Sequence, residues 1–365
     1  MNIRDYLQFE PAGKRIEDLE TPVPVIDIAI ADRNLKRWQA RCEALGIANR
    51  PHIKTHKIAG LARYQTDLGA SGITVQKLGE AEVMVDAGLS DMLLTFNVVG
   101  RHKLERLASL RRRTAISVVA DSPAVVEGLS WAGGKADRSI QVLVECDTGA
   151  RRNGVQTPAA AAELAKVIDR TPGTSFGGLM TYPKPGTRTA AAAFLDEARD
   201  LCAAAGLNPA IVSSGGSPDM WSDEGLATLT EYRVGTYIYF DRSLAERGTC
   251  QYQDCAYTVL ATVVSRPTTS RAMIDAGSKA LTSDLLGLSG YGTVGSLDGA
   301  TVYDLSEEHG FLDVSKSSHQ PKVGDVVRIV PNHVCPVSNL FDAVVFVDGE
   351  DVLGAVRVDA RGRVQ

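Results

Sequence analysis

Two lysines and two histidines stand within six residues of the stretch Arg50-Pro51-His52-Ile53-Lys54-Thr55-His56-Lys57. A lysine amine at the interior end of a strand can be desolvated and made nucleophilic, as Schiff-base chemistry with a carbonyl requires. Pro51 biases Arg50 towards an extended conformation. In a strand, His52 and Lys54 would then share one face, and Pro51 and Ile53 the other. The alternative is a solvated basic turn, the commoner setting because lysines are rarely buried. A second candidate is His333-Val334-Cys335. On an extended chain its imidazole and thiol point the same way and can reach one soft or borderline cation. Two ligands fall short of the four of a structural zinc site, so the pair is either an open metal site completed by water and substrate, or a buried cysteine beside a hydrogen-bonded histidine.

Other stretches could hold an anion or a ring. Ser213-Ser214-Gly215-Gly216-Ser217 offers backbone N–H groups and hydroxyls to a phosphate, with glycine allowing close approach. An ordinary strand-to-helix turn has the same composition. Gly235-Thr236 could extend that cradle or simply hold a packing glycine, and Arg152 could meet a cofactor ring or lie in solvent. Cys250 and Cys255 have no neighbouring histidine and read as structural thiols. His56, His102, His309 and His319 have no spacing that demands a metal.

These groups need elements to position them. Apolar strand candidates recur at 23–28, 52–54, 73–76, 92–96, 116–120, 140–146, 176–182, 210–214 and 233–240, with helical patterns between them. Leu35, Trp38, Cys42 and Leu45 line one helical face, with Asp32 available as a cap. Thr157-Pro158 is a cap followed by proline at the first helical position. Thr189 can open a further helix that Gly206 stops. Alternating strands and helices indicate a parallel sheet, and eight such units close a barrel, so the first of the nine candidates is spare. Gln76-Lys77, the loop 147–154, Thr181-Tyr182-Pro183, the Ser/Gly loop and Arg233–Tyr237 fall at strand ends, where barrel enzymes build their sites. After about residue 245 strands follow one another without long helices, at 257–264, 271–274, 301–305, 325–330, 343–347 and 352–358, which reads as a smaller β domain.

The chain has 365 residues, 44% hydrophobic and 23% charged, with a net charge of −5. That balance gives no reason to expect nucleic acid as a partner, and no apolar run is long enough to span a bilayer. The six cysteines are scattered without a CxxC. With a charged N-terminal stretch that lacks an apolar signal core, they lead us to expect a cytoplasmic protein.

Taken in order, Arg-Pro-His-x-Lys-Thr-His-Lys, Gln76-Lys77, Arg152-Asn153-Gly154-Val155, the Ser/Gly loop and His333-x-Cys335 resemble the D-threonine aldolase/D-serine dehydratase group of fold-type III pyridoxal-phosphate (PLP) enzymes. These are related to alanine racemase. The resemblance spans about residues 20–360 and implies an α/β architecture: a PLP-binding (β/α)8 TIM-like barrel over 20–245 and a mainly-β domain over 246–365. Residues 1–30 would pack on the second, its sheet absorbing the spare strand. It implies Lys54 as the Schiff-base lysine and His52, Gln76, Arg152 and Tyr182 around the cofactor. Ser214, Gly215, Gly216, Gly235, Thr236 and Tyr237 match the phosphate-binding stretches, and His333 and Cys335 the holders of a divalent metal, with Mn, Zn, Mg and Co undistinguished.

The implied substrate is a small β-hydroxy-D-amino acid and the implied assembly a homodimer. The expected activity is D-threonine aldolase. The alternatives are a D-serine or D-threo-3-hydroxyaspartate type dehydratase and, from another class, a non-catalytic PLP-binding protein. His-x-Cys matches the dehydratases, whereas aldolases of the group often carry His-x-Asp. Pro183–Thr187 holds no histidine, in a region where an aldolase base has been placed, which leaves that base unassigned.

Overall fold

The computed structural model describes residues 1–365. Its strands fall into two sheets. After β1 (Val23–Asp27) come β2 (Ala48–Asn49), β3 (Ile73–Val75), β4 (Met92–Leu94), β5 (Ile116–Ala120), β6 (Ile140–Cys146), β7 (Thr174–Thr181), β8 (Ile211–Gly215) and β9 (Glu231–Arg233). The eight from β2 to β9 form one parallel sheet in the order β2-β9-β8-β7-β6-β5-β4-β3. A bridge between His52 and Thr74 joins the chain beyond β2 to β3 and completes the ring. The helices between strands are α1 (Ile28–Leu45), α2 (Ala59–Asp67), α3 (Leu78–Asp86), α4 (Arg101–Arg113), α5 (Pro123–Ala136), α6 (Pro158–Arg170) and α7 (Arg188–Ala204).

The barrel interior changes character along the strands. Leu93, Val119, Leu143 and Met180 form an apolar layer, with Ile211 packed against it. Side chains alternate with a period of two, so the next inward positions are Thr95, Asp121, Glu145, Tyr182 and Ser213. The sequence thus places apolar packing low in the barrel and polar groups at the carboxyl ends of its strands.

The second sheet adds β10 (Tyr257–Ser265), β11 (Arg271–Ile274), β12 (Gly292–Val294), β13 (Thr301–Leu305), β14 (Gly310–Asp313), β15 (Val326–Pro331), β16 (Ala343–Asp348) and β17 (Asp351–Arg357). Its order is β11-β14-β13-β12-β15-β10-β1-β16-β17, with β11 also pairing to β10. The spare first strand is therefore an interior member of this sheet, antiparallel to β10 and parallel to β16. Val25, Leu260, Val345 and Val347 bury its apolar face with Ile16. The chain divides into two compact units, one of residues 1–38, 55–61 and 236–362, the other of 39–54, 62–235 and 363–365. No helix is long and apolar enough to cross a membrane.

Several local expectations are corrected. The strand expected at 52–54 is instead β2 at 48–49, an isolated bridge at His52 and a 3-10 turn over Ile53–Thr55. Pro51 has no N–H to donate, so the ladder cannot run through it, although its carbonyl still accepts from the Thr74 amide. Lys57 takes a left-handed φ of 57°, and α2 starts beyond it at Ala59. The strand expected at 233–240 ends at Arg233, and Thr236–Ile238 form a 3-10 turn. Asp27 rather than Asp32 caps α1, accepting from the amides of Ala29 and Ile30 at 3.0 Å each. The strands β12 and β14 are too short to show a period in the sequence.

Candidate active site and metal-ligand pair

The octapeptide is not a solvated turn. Pro51, His52 and Ile53 are buried and Lys54 is half-buried. His52 is fixed by its ring, with Nε2 3.0 Å from Gln76 Oε1, while Gln76 Nε2 donates to the Thr95 carbonyl at 2.8 Å. The Lys54 amide donates to His52 Nδ1 at 3.4 Å. Lys54, His52 and Gln76 are thus brought together at the carboxyl ends of adjacent barrel strands. Arg152 and Tyr182 also meet, the guanidinium lying 4.9 Å from the ring centroid. Gly216, with φ of 117°, lies beside the same ring, where a Cβ would sit 3.8 Å from Tyr182 Cε2. A Cβ on Gly215 would fall 2.4 Å from the Arg233 carbonyl, so only glycine fits that strand end. The Gly216 amide donates to that carbonyl at 3.1 Å. That amide is therefore already committed within the protein.

Beneath these groups runs a buried charge network that the sequence reading did not assemble. Arg50 donates to Glu231 and to Asp91 at 2.7 Å each. Glu231 accepts from Ser213 at 2.6 Å, and Ser213 accepts from Arg233, whose other Nη donates to the Thr181 carbonyl at 2.9 Å. Burial lowers the Arg233 pKa to about 10 despite Glu231 and Glu145. Glu145 accepts from Asn153 at 2.6 Å and stands 3.7 Å from Arg152. Burial pushes its carboxyl from the usual 4.5 up to about 7, against the pull of Arg152 and Arg233. The available signal was a charged residue at an inward position of an otherwise apolar strand, which needs the register to be known.

In the other unit, His333 is the N-cap of a short helix, Val334–Leu340, and Cys335 lies within that helix. The pair is therefore not on an extended chain, but the turn still brings the two side chains near enough to interact. Cys335 Sγ lies 3.1 Å from the Thr55 hydroxyl and 3.7 Å from that of Thr236. His333 Nδ1 lies 2.8 Å from Asp284 Oδ2. Burial draws the imidazole pKa down, but Cys335, Asp284 and Asp241 outweigh it and hold it at about 9. An imidazole and a thiol, each with a hydrogen-bonded partner behind it, suit a borderline cation. No group of three or more His, Cys, Asp or Glu side chains is placed to enclose an ion, so any metal here would complete its shell with other donors. Tyr237 is buried against Trp38, its ring centroid 6.3 Å away. Cys250 and Cys255 are free, buried thiols.

Comparison with known proteins agrees with this architecture. The family model "Alanine racemase, N-terminal domain" matches residues 26–243, and "Putative serine dehydratase domain" matches 256–347. A D-threonine aldolase of Arthrobacter sp is 33% identical over 364 residues, covering 96% of this chain and 95% of that one. This chain belongs to the D-threonine aldolase and D-serine dehydratase family. A D-threo-3-hydroxyaspartate dehydratase of Delftia sp. is also 33% identical, over 89% of this chain and 93% of its own. The crystal structure of the D-threonine aldolase from Filomicrobium marinum superposes with a TM-score of 0.87 at 31% identity, over 98% of this chain and 100% of that one. Solved structures of a D-threo-3-hydroxyaspartate dehydratase include a histidine-to-alanine variant and, two residues further along that chain, a cysteine-to-alanine variant in the metal-free form. Its histidine and cysteine have the spacing of His333 and Cys335. Family membership and fold thus follow from the whole chain, independently of any single motif.

Proposed function

We propose that this chain is a lyase that uses pyridoxal 5'-phosphate and a divalent cation on β-hydroxy-D-amino acids, and that it cleaves D-threonine to glycine and acetaldehyde. The observation that carries the reading is Lys54 at a barrel-strand end beside the His52–Gln76–Thr95 chain, in a protein similar along its whole length to a D-threonine aldolase. The residues fit the cofactor. Lys54 supplies the amine, Arg152 and Tyr182 form a paired wall, and β8 ends at Ser214 and Gly215 with Gly216 just beyond, the two glycines adding no side-chain bulk. Gly235, Thr236 and Tyr237 belong to the same phosphate-binding proposal, and His333 and Cys335 would hold the cation.

When bound, PLP offers an electron sink for negative charge developing at the substrate Cα, and a divalent cation offers Lewis acidity. The rest falls to the chain. In an aldolase a base takes the β-hydroxyl proton as the Cα–Cβ bond breaks. In a dehydratase Lys54 takes the α-proton and the β-hydroxyl departs, giving a keto acid and ammonia after hydrolysis. The dehydratase is the second reading, favoured by the His-x-Cys spacing shared with the D-threo-3-hydroxyaspartate dehydratase of those variant structures. A homodimer in the cytoplasm completes the proposal. Product analysis with D-threonine, PLP and added Mn²⁺ tests it: glycine and acetaldehyde are expected. Formation of 2-oxobutyrate and ammonia without acetaldehyde would replace aldolase by dehydratase, and no turnover of any β-hydroxy-D-amino acid would leave a binding protein.

A further inference from the structure

The imidazole of His333 has one neighbour that no motif announces. Asp284 Oδ2 lies 2.8 Å from His333 Nδ1. An ionised carboxylate can only accept, so Nδ1 must carry a proton, and in the neutral ring the lone pair then sits on Nε2. The loop that carries Asp284 is itself built in place. Asn332, fully buried and adjacent to His333 in the chain, donates to the Asp284 carbonyl at 3.1 Å and to the Gly290 carbonyl at 2.8 Å. Arg242 holds Asn332 in turn, donating to its Oδ1 at 3.0 Å and to the Ser289 carbonyl at 2.9 Å. Thr282 and Leu286, on either side of Asp284, take left-handed φ values of 63° and 49°. Such backbone persists in non-glycine residues where surrounding contacts over-determine it. On the other side, the Val334 amide donates to Asp241 Oδ2 at 3.2 Å, which fixes the turn that carries the ring.

We propose that Asp284 is a positioning residue for His333, holding the ring in one tautomer and one orientation so that Nε2 is presented to a divalent cation. The inference rests on the metal reading of the proposed function. Asp284 stands behind the histidine and not in the ligand set, since no third His, Cys, Asp or Glu joins the pair as a potential ligand. Carboxylates placed behind a metal-ligating histidine typically set affinity by about 10–100-fold.

The test is metal affinity, read without turnover. Metal-stripped, PLP-loaded protein is titrated with Zn²⁺ and with Mn²⁺ in competition with a chromophoric chelator, and the His333 ring nitrogens of the Zn²⁺-loaded protein are followed by 15N NMR. Asp284→Ala should weaken binding by about 10–100-fold and lose the Nδ1–H tautomer preference, with PLP content unchanged. Asp284→Asn keeps an acceptor oxygen and should fall between the variant and the parent. Asp284 is half exposed in its side chain, so both variants should fold, and the PLP absorbance checks that they have. Parent-like affinity and tautomer in Asp284→Ala would overturn the inference while leaving the metal reading intact. A parent protein that binds neither ion would overturn the metal reading, and this inference with it.

Discussion

Glu145 shows how one buried side chain sets a pH dependence. Its carboxyl, desolvated at the end of β6, has a pKa of about 7 in the folded chain against a usual 4.5. Between those values the folded chain keeps a proton that the unfolded chain has released. Stability must then fall as pH rises through this window. The contribution is complete below about pH 4.5 and is lost as pH climbs through about 7. Glu145→Gln keeps an oxygen for the Asn153 amide and removes the titration. Urea unfolding from pH 4.5 to 8 should therefore show the variant gaining on the parent up to about pH 7 and by a constant margin above it. Parallel curves would mean that Glu145 ionises normally, held by Arg152 and Arg233.

Two glycines side by side in α5 separate the effects that govern an element. A Cβ on buried Gly133 would lie 1.9 Å from the Gly173 carbonyl, while exposed Gly134 has nothing within 4 Å. Alanine is the better helix former by about 1 kcal/mol, so the two substitutions share one intrinsic gain. Gly133→Ala must also push α5 away from the turn before β7. A net loss of about 1–3 kcal/mol is expected there, as for other overpacked sites. Gly134→Ala should instead stabilise by about 0.5–1 kcal/mol. Thermal unfolding of the pair checks both signs, and equal shifts would refute the close approach of helix and turn.

For the whole molecule the cofactor is the natural probe. A ligand that binds the folded chain but not the unfolded one raises stability by RT ln(1 + [L]/Kd), about 2.7 kcal/mol at a hundred times Kd. The melting temperature should therefore rise with PLP concentration, and less in Lys54→Ala, which cannot form the covalent bond. Borohydride reduction followed by peptide mass mapping should find PLP on Lys54 in the parent protein and on no lysine in that variant. An adduct on Lys57 would move the assignment. The geometry argues against that outcome, because Lys57 is buried in the left-handed link before α2.

By itself the sequence determined what depends on local spacing. Thr157 caps α6, accepting from the Ala160 amide at 3.1 Å as the Thr-Pro signal implies, and the apolar runs at 116–120 and 140–146 are the strands β5 and β6. The barrel, with one strand left over, followed from the alternation of short apolar runs and helical faces. Only the tertiary structure decided what depends on residues far apart in the chain. The count left Val23–Asp27 over from the barrel, but its place between β10 and β16 is seen only in the pairing. The solvated-turn reading of the octapeptide failed because burial of Thr55 and His56 is supplied by segments absent from that window. Arg50, Glu231, Ser213 and Arg233 become one network only when β2, β8 and β9 lie side by side. Asp284 lies 49 residues before His333, and no spacing rule links them. A hydrogen bond acts over about 3 Å of space whatever the sequence separation. Periodicity therefore foretells which face of an element is buried, while the partners of a buried charge wait on the fold.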